Sequence, residues 1–180
     1  MSLYQPINLR KWIEEHRHEL KPPVGNKQVW KDERGMIIMV VAGPNARKDY
    51  HVNETEEFFY QIEGDITVRI IRPDTGKPHD VVIREGEIYL LPANVPHCPM
   101  RPRGTIGLVV EQPRPAGAKD KLQWFSDDTH ELVHEAEFDL ENIETDLKKI
   151  MERFWSDDEL RTNKKTGSVI SPPKEAEPPR

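Results

Sequence analysis

Three residues, His51, Glu57 and His97, have the side chains and spacing expected of metal ligands. Glu57 begins a run of strand formers that Gly64 interrupts, which is typical of a β-hairpin. His97 follows a second short apolar run, which turns at Asn94, a residue type that tolerates a left-handed backbone. Two facing hairpins would bring the three side chains together. Two histidines and one carboxylate suit non-haem Fe(II) and dioxygen chemistry, and Zn(II) or Mn(II) can bind the same atoms.

The stretch from residue 28 to residue 112 must supply these hairpins. Short runs rich in β-branched and aromatic residues recur there, separated by turn formers. Strands are predicted at 28–31, 36–42, 57–62, 66–72, 80–84, 88–91 and 106–112, and a loop then leads to a further short run at 122–125. This rhythm is typical of an all-β barrel or sandwich.

Two amphipathic helices flank the predicted strands. The first spans 7–20, with Asn8 as its N-cap and two prolines beyond its end. The second spans 139–155, where apolar residues recur at steps of three and four. We therefore expect one domain over 1–170, with a barrel core at about 27–125 and a helical extension at about 139–160. The tail at 171–180 is too rich in proline and polar residues to pack, and we expect it to be flexible.

Composition excludes several classes of function. The formal net charge of -6 and the lack of a basic stripe argue against a nucleic-acid partner. No apolar run approaches the length of a membrane span, and the N-terminal residues lack a hydrophobic signal region. The one cysteine, Cys98, excludes an internal disulfide. These features predict a cytoplasmic protein without membrane or nucleic-acid partners.

Arg47, Arg101 and Glu111 are further candidates for a site. Arg47 lies four residues before His51, and Arg101 lies four residues after His97. Two guanidinium groups at the mouth of a small barrel would bind a carboxylate, although surface ion pairs give the same sequence pattern. Glu111 ends an apolar strand, where a carboxylate is costly to bury unless it is paired or functional.

The spacing around the three candidate ligands resembles the two motifs of the cupin superfamily, G-x5-H-x-H-x3,4-E-x6-G and G-x5-P-x-G-x2-H-x3-N. Asn53 replaces the second histidine of the first motif. Asn94 and Arg101 replace the glycine and the final asparagine of the second. The resemblance implies a mainly β fold, the cupin double-stranded β-helix or jelly-roll barrel, here with an N-terminal helix and a C-terminal amphipathic helix. It also implies three metal ligands instead of four.

From about Pro6 to Thr162 the chain resembles the 3-hydroxyanthranilate 3,4-dioxygenase family. The resemblance is carried by Lys21-Pro-Pro-Val-Gly-Asn26, Asp49-Tyr-His51, Glu57-Phe-Phe-Tyr-Gln, Leu91-Pro-Ala-Asn-Val-Pro-His97 and Val109-Val-Glu111-Gln-Pro-Arg114-Pro. It implies iron ligands at His51, Glu57 and His97. It places catalytic and substrate-binding roles on Arg47, Arg101 and Glu111, and pocket-lining positions at Asn26, Phe59 and Pro99.

The same resemblance implies the chemistry and the partners. The family uses Fe(II) and O2 to open the ring of 3-hydroxyanthranilate, a small aromatic acid derived from tryptophan. Its product is 2-amino-3-carboxymuconate semialdehyde, the precursor of quinolinate in NAD biosynthesis. The resemblance also suggests a homodimer.

The C-terminal region departs from the family pattern. Bacterial and fungal relatives commonly carry two C-x-x-C pairs that bind a second, rubredoxin-like iron. The corresponding places read Ser126-Asp-Asp-Thr129 and Asn163-Lys-Lys-Thr166, without a thiol. We therefore expect one Fe(II) per subunit and no second rubredoxin-like iron.

Two other functions fit parts of the sequence. His130-Glu-Leu-Val-His134 matches the H-E-x-x-H pattern, which on a helix would indicate a zinc peptidase. A non-catalytic cupin that binds a small acid is the other alternative, and the intact set of metal ligands argues against it.

Overall fold

A computed structural model describes residues 5–22, 25–31 and 35–179. Most of the regular secondary structure in these residues is β-strand, arranged as two antiparallel sheets. The elements are α1 (Leu9–His16), a 3-10 turn (Arg17–Glu19), β1 (Gly25–Gln28), β2 (Ile37–Ala42), β3 (Asp49–Val52), β4 (Glu57–Glu63), β5 (Ile66–Ile71), β6 (Pro78–Ile83), β7 (Ile88–Leu91), β8 (His97–Met100), β9 (Ile106–Glu111), β10 (Asp120–Phe125), β11 (Leu132–Phe138), α2 (Asp146–Ser156) and α3 (Asp158–Arg161).

The two sheets form the predicted barrel. One sheet has the strand order β1-β2-β9-β4-β7, and the other has the order β11-β10-β3-β8-β5-β6. Several neighbours in these orders, such as β2 and β9 or β3 and β10, are far apart in sequence, as in a jelly roll. The apolar faces of both sheets enclose one main core. The prediction of a mainly β, cupin-type double-stranded β-helix with terminal helices is confirmed. No described helix is long and apolar enough to cross a membrane.

The N-terminal helix forms as predicted. The Asn8 side chain accepts a hydrogen bond from the Lys11 N–H, which caps the first turn. Ile13 and Leu20 are buried and pack against Val40 and Ile106 of the five-stranded sheet. Pro23, one of the two prolines expected beyond the helix end, lies outside the described residues.

Several predicted boundaries differ from the structure. The first strand was predicted at 28–31 but occupies Gly25–Gln28. No strands were predicted at β3, β8 and β11. The C-terminal helix was predicted from 139 but begins at Asp146, whose carboxylate accepts hydrogen bonds from the N–H groups of Glu141 and Asn142. Those bonds hold the residues just before Asp146 in a turn, although the apolar side chains there recur at the spacing of a helix.

Helix α2 packs onto the barrel. Leu147, Met151 and Phe154 are buried in the main core. The Phe154 ring stacks on Trp124 of β10, with ring centroids 4.0 Å apart. This apolar contact fixes the C-terminal segment against the six-stranded sheet.

The C-terminal tail makes contacts with the barrel. Ser171 donates from its hydroxyl to Asp127, and the Ala176 N–H donates to the carbonyl of Asn45 over 3.0 Å. These bonds hold Ser171 and Ala176 next to the barrel. The flexibility of the tail stays a prediction.

Candidate metal centre

The barrel register explains how distant residues converge. His51 of β3 pairs directly with His97 of β8. Glu57, at the start of β4, pairs with Glu111, at the end of β9. Paired residues of antiparallel strands place their side chains on the same face about 5 Å apart. The four side chains are buried, with exposed fractions of 2–5%, so they project into the barrel interior.

His51, Glu57 and His97 form a cluster of metal-ligand type. Each offers a nitrogen or carboxylate oxygen, and these atoms lie within 4.8 Å of one another. The His97 Nδ1 lies 3.0 Å from the Val95 carbonyl, so its N–H donates there and Nε2 is left facing Glu57. Glu57 Oε2 is 3.0 Å from that Nε2 but has no hydrogen-bond partner. An unpaired buried carboxylate oxygen beside two imidazoles fits a divalent cation.

Electrostatics keep Glu57 ionised. Burial raises the pKa of Glu57, but the nearby charge of His97, together with His51 and Arg114, outweighs burial and leaves the pKa below its usual value. Burial and the nearby charge of Glu57 raise the pKa of Glu111. The pKa values of the two paired carboxyl groups therefore shift in opposite directions, because only Glu57 has the imidazole of His97 beside it.

All nine residues predicted for the site line one cavity. They are Asn26, Arg47, His51, Glu57, Phe59, His97, Pro99, Arg101 and Glu111. Met39, Val41, Asn45, Val109, Ile143 and Leu147 also line it and were not predicted. Ile143 and Leu147 come from the C-terminal segment, which Asn26 holds through a 2.8 Å hydrogen bond to the Ile143 carbonyl.

The two arginines of the cavity differ in their partners. The Arg47 guanidinium is bound to the carboxylate of Asp49, a buried ion pair. Arg101 is only 1% exposed, and no carboxylate pairs with it among the described residues. Its Nη1 donates to Gln61 over 3.2 Å, while its Nε has no partner. Burial lowers the pKa of Arg101 to about 10, so it stays charged at neutral pH. A buried, unpaired guanidinium favours an anionic ligand.

The neighbours of Arg101 were missed from sequence. Gln61 is buried on β4 and points its amide oxygen at the guanidinium. Gly107 of β9 leaves the space, because a Cβ there would lie 2.8 Å from Arg101 Nη1 and from Gln61 Oε1. A glycine within a strand is the available signal, since it often marks close approach of another group.

A larger groove of about 990 Å³ lies on the outer face of the six-stranded sheet. Tyr50 and Cys98 line it, as expected because they alternate in their strands with His51 and His97. None of the three clustered ligands lines this groove, so its size does not make it the site of the chemistry. Burial raises the pKa of the Cys98 thiol to about 12, which disfavours the thiolate.

The H-E-x-x-H segment does not form a metal site of the peptidase type. His134 lies in strand β11 opposite Trp124, and its ring stacks with Phe154. His130 is exposed in the preceding turn, with φ 57°. Four positions along a strand span about 13 Å, whereas the motif requires one face of a helix. The zinc-peptidase alternative is wrong.

The two thiol-free segments at 126–129 and 163–166 lie close together, because residues in or just beyond them are in contact. Ser168 Oγ donates to Asp128 over 3.3 Å, and the Lys165 ammonium lies 3.0 Å from the Glu131 carboxylate. These side chains connect the segments without thiols. That the chain binds no second iron stays a prediction.

The chain is similar to known proteins over most of its length. A family model described as 3-hydroxyanthranilic acid dioxygenase matches residues 1–155. A 3-hydroxyanthranilate 3,4-dioxygenase of Podospora anserina is 46% identical over 170 residues, which cover 94% of this chain and 91% of that protein. One of Xanthomonas euvesicatoria pv. vesicatoria is 48% identical over 171 residues, covering 95% of each. A solved cupin-2 domain protein of Shewanella frigidimarina has a TM-score of 0.46 at 17% identity, covering 59% of this chain and 93% of that chain.

Proposed function

Because the chain belongs to the 3-hydroxyanthranilic acid dioxygenase family, we propose that it opens the ring of 3-hydroxyanthranilate with O2, using Fe(II) at His51, Glu57 and His97. The observation that carries the proposal is the position of this cluster beside a buried, unpaired arginine in one cavity. The cluster fits a cation, and the arginine fits the carboxylate of an aromatic acid. The bound iron supplies Lewis-acid polarisation and the electron transfer that lets ground-state dioxygen react.

The side chains of the cavity divide the work of binding. Arg101 binds the substrate carboxylate, because its Nε and its positive charge have no carboxylate partner among the residues that the structure describes. Arg47 adds positive charge at the same end and is kept in place by Asp49. Phe59 and Pro99 contribute apolar walls for the ring. Asn26 also lines the cavity and bonds to the C-terminal segment that contributes Ile143 and Leu147 to it. Together these contacts hold the substrate ring next to the three metal ligands, so that the ring and the metal are close together before the reaction.

Glu111 handles the proton of the substrate. Its carboxyl group is buried, and its raised pKa suits a group that accepts a proton or hydrogen bond from the hydroxyl or amine of the ring. Both oxygen atoms of O2 enter the product, so the reaction needs no external reductant. The product is 2-amino-3-carboxymuconate semialdehyde, which closes to quinolinate in NAD biosynthesis.

The proposal extends to the assembly. One barrel domain over 1–170 carries one iron per subunit, and the protein acts in the cytoplasm as a homodimer. The proposed ligands come from strands of both sheets of one barrel, which supports the single domain. Iron analysis of the purified protein measures the number of iron ions per subunit, and sedimentation measures the oligomeric state.

A coupled oxygen assay tests the function. Protein loaded anaerobically with Fe(II) is mixed with 3-hydroxyanthranilate and then with O2. We expect uptake of one O2 per substrate consumed and a rise in ultraviolet absorbance from the semialdehyde. Metal-free protein and 2-aminophenol, which lacks the carboxylate, serve as controls and should give far less product. Substrate binding without O2 uptake would instead indicate the non-catalytic small-acid-binding cupin.

Crowding of Arg101 gives a separate prediction. Gly107→Ala places a Cβ 2.8 Å from both the guanidinium and the Gln61 amide, at a cost of about 1–3 kcal/mol. We expect a raised KM with full iron content. Gln61→Glu, which adds no bulk but pairs Arg101 with a carboxylate, should raise KM as well. Steady-state kinetics at saturating Fe(II) measure both variants, and an unchanged KM in Gln61→Glu would contradict the role of Arg101.

A further inference from the structure

A partly buried arginine outside the predicted site, Arg114, connects Glu111 of that site with a second carboxylate, Asp120, which was not predicted. Arg114 Nη2 donates to Glu111 Oε2 over 2.6 Å. The same guanidinium binds Asp120 in a bidentate manner, with Nε–Oδ1 and Nη2–Oδ2 distances of 2.7 Å each. The Arg114 side chain is 10% exposed and that of Asp120 is 1% exposed. Bidentate geometry and burial make this pair stronger and more specific than a surface ion pair.

Asp120 in turn contacts a member of the metal cluster. Its Oδ2 lies 2.6 Å from His51 Nε2. The bidentate contact with the Arg114 guanidinium leaves the Asp120 carboxylate as the hydrogen-bond acceptor towards His51. The N–H of His51 therefore lies at Nε2, and the other ring nitrogen keeps its lone pair. Carboxylates in this position orient metal-binding histidines in other proteins.

Strand register places these groups together. Leu122 of β10 pairs with His51 of β3, so Asp120, two positions earlier on the same face, lies diagonally across from the histidine. Arg114 follows Glu111 by three positions, beyond the end of β9. The loop between β9 and β10 therefore returns the guanidinium to the position where both carboxylates are within reach.

We propose that Arg114 and Asp120 are positioning residues that join a metal ligand to the substrate-binding carboxylate, in the order His51, Asp120, Arg114, Glu111. This inference rests on the proposed function, because it assigns the network to that site. Asp120 fixes the ring orientation and tautomer of His51. Arg114 holds Asp120 and Glu111 in one geometry and offsets the repulsion between buried negative charges. Fold stability alone does not require such a network, since well-packed apolar residues stabilise a core at least as well.

Metal affinity tests the role of Asp120. Folded, metal-free Asp120→Asn protein is titrated anaerobically with Fe(II), and separately with Co(II), whose visible absorption reports the ligand geometry. We expect affinity to fall about 10–100-fold and the Co(II) spectrum to change. The matched control is Asp80→Asn, because Asp80 forms a similar bidentate pair with Arg69 on the outer side of the barrel. Asp80→Asn should keep its metal affinity within about twofold of the wild type. If the role of Asp120 were merely structural, both variants would lose thermal stability and neither would lose metal affinity.

Kinetics at saturating metal test the role of Arg114. We expect Arg114→Gln to raise KM about tenfold through loss of the Glu111 contact, and Arg114→Lys to recover part of the loss because it keeps the charge but not the bidentate geometry. Arg69→Gln is the control. Unchanged or tighter metal binding by Asp120→Asn, or an unchanged KM in Arg114→Gln, would overturn the network while wild-type protein still turns over. Failure of the wild type to bind Fe(II) or consume O2 would instead refute the proposed function.

Discussion

Glu57→Gln protein is expected to lose its iron and its activity together. The glutamine amide has the same shape but no charge, so it leaves two imidazoles without the carboxylate that neutralises a divalent cation. Mutation of a residue that hydrogen-bonds to a metal ligand typically lowers metal affinity about 10–100-fold. Loss of a direct ligand should therefore lower it by more than about 100-fold. Iron content after anaerobic reconstitution and O2 uptake with 3-hydroxyanthranilate are the measurements. Glu57 is the choice because its Oε2 is the buried oxygen without a hydrogen-bond partner.

The neighbouring Glu56 gives a matched control. Glu56→Gln removes a carboxylate of the same type one residue earlier, where the side chain is exposed and bonds to Gln112. We expect this variant to keep its iron and turnover. If Glu57→Gln protein retained iron and activity at the level of the control, the assignment of the metal cluster would be wrong. Circular dichroism of both proteins separates loss of metal from loss of fold.

Arg101→Gln is expected to weaken substrate binding while iron stays bound. Removing one partner of a buried charge pair typically costs about 2–5 kcal/mol, which corresponds to a rise in KM of roughly 30-fold to several thousand-fold. The effect should be larger than that of Arg47→Gln, because Asp49 already offsets the charge of Arg47, whereas the Arg101 guanidinium has no carboxylate partner within the described residues.

The control for Arg101 is Arg103→Gln. Arg103 is an exposed arginine two residues further on, paired with Glu175 of the tail. We expect its KM to equal that of the wild type, since exposed ion pairs contribute little. A second comparison uses 2-aminophenol as substrate. Its turnover should be almost equal in wild-type and Arg101→Gln protein, because neither can use a carboxylate contact. Loss of iron from Arg101→Gln would contradict a purely substrate-binding role.

Much of the fold followed from local sequence patterns. The N-cap at Asn8 and the long strands β2, β4, β5 and β9 have strong local signals, because β-branched and aromatic residues cluster there between turn formers. The shorter strands β3 and β8 have four residues each, and β8 includes a proline, so their pairing depends on closure of the barrel. Strand β11 alternates charged and apolar residues beside a segment that also matched a helical motif. Only its pairing with β10 shows that this segment is a strand and not a helix.

The candidate site, like the fold, was determined partly by the sequence and partly by the tertiary structure. The sequence by itself determined which side chains are present at the spacing of two ligand-bearing hairpins, since His51, Glu57 and His97 lie close to turns that local residue types specify. The tertiary structure decided the cross-strand pairs that bring them within reach, the unpaired state of Arg101 and the contacts of Arg114 with Asp120. The physical reason is that local propensity depends on neighbours in sequence, whereas register, burial and charge pairing depend on groups that meet only when both sheets close around one core.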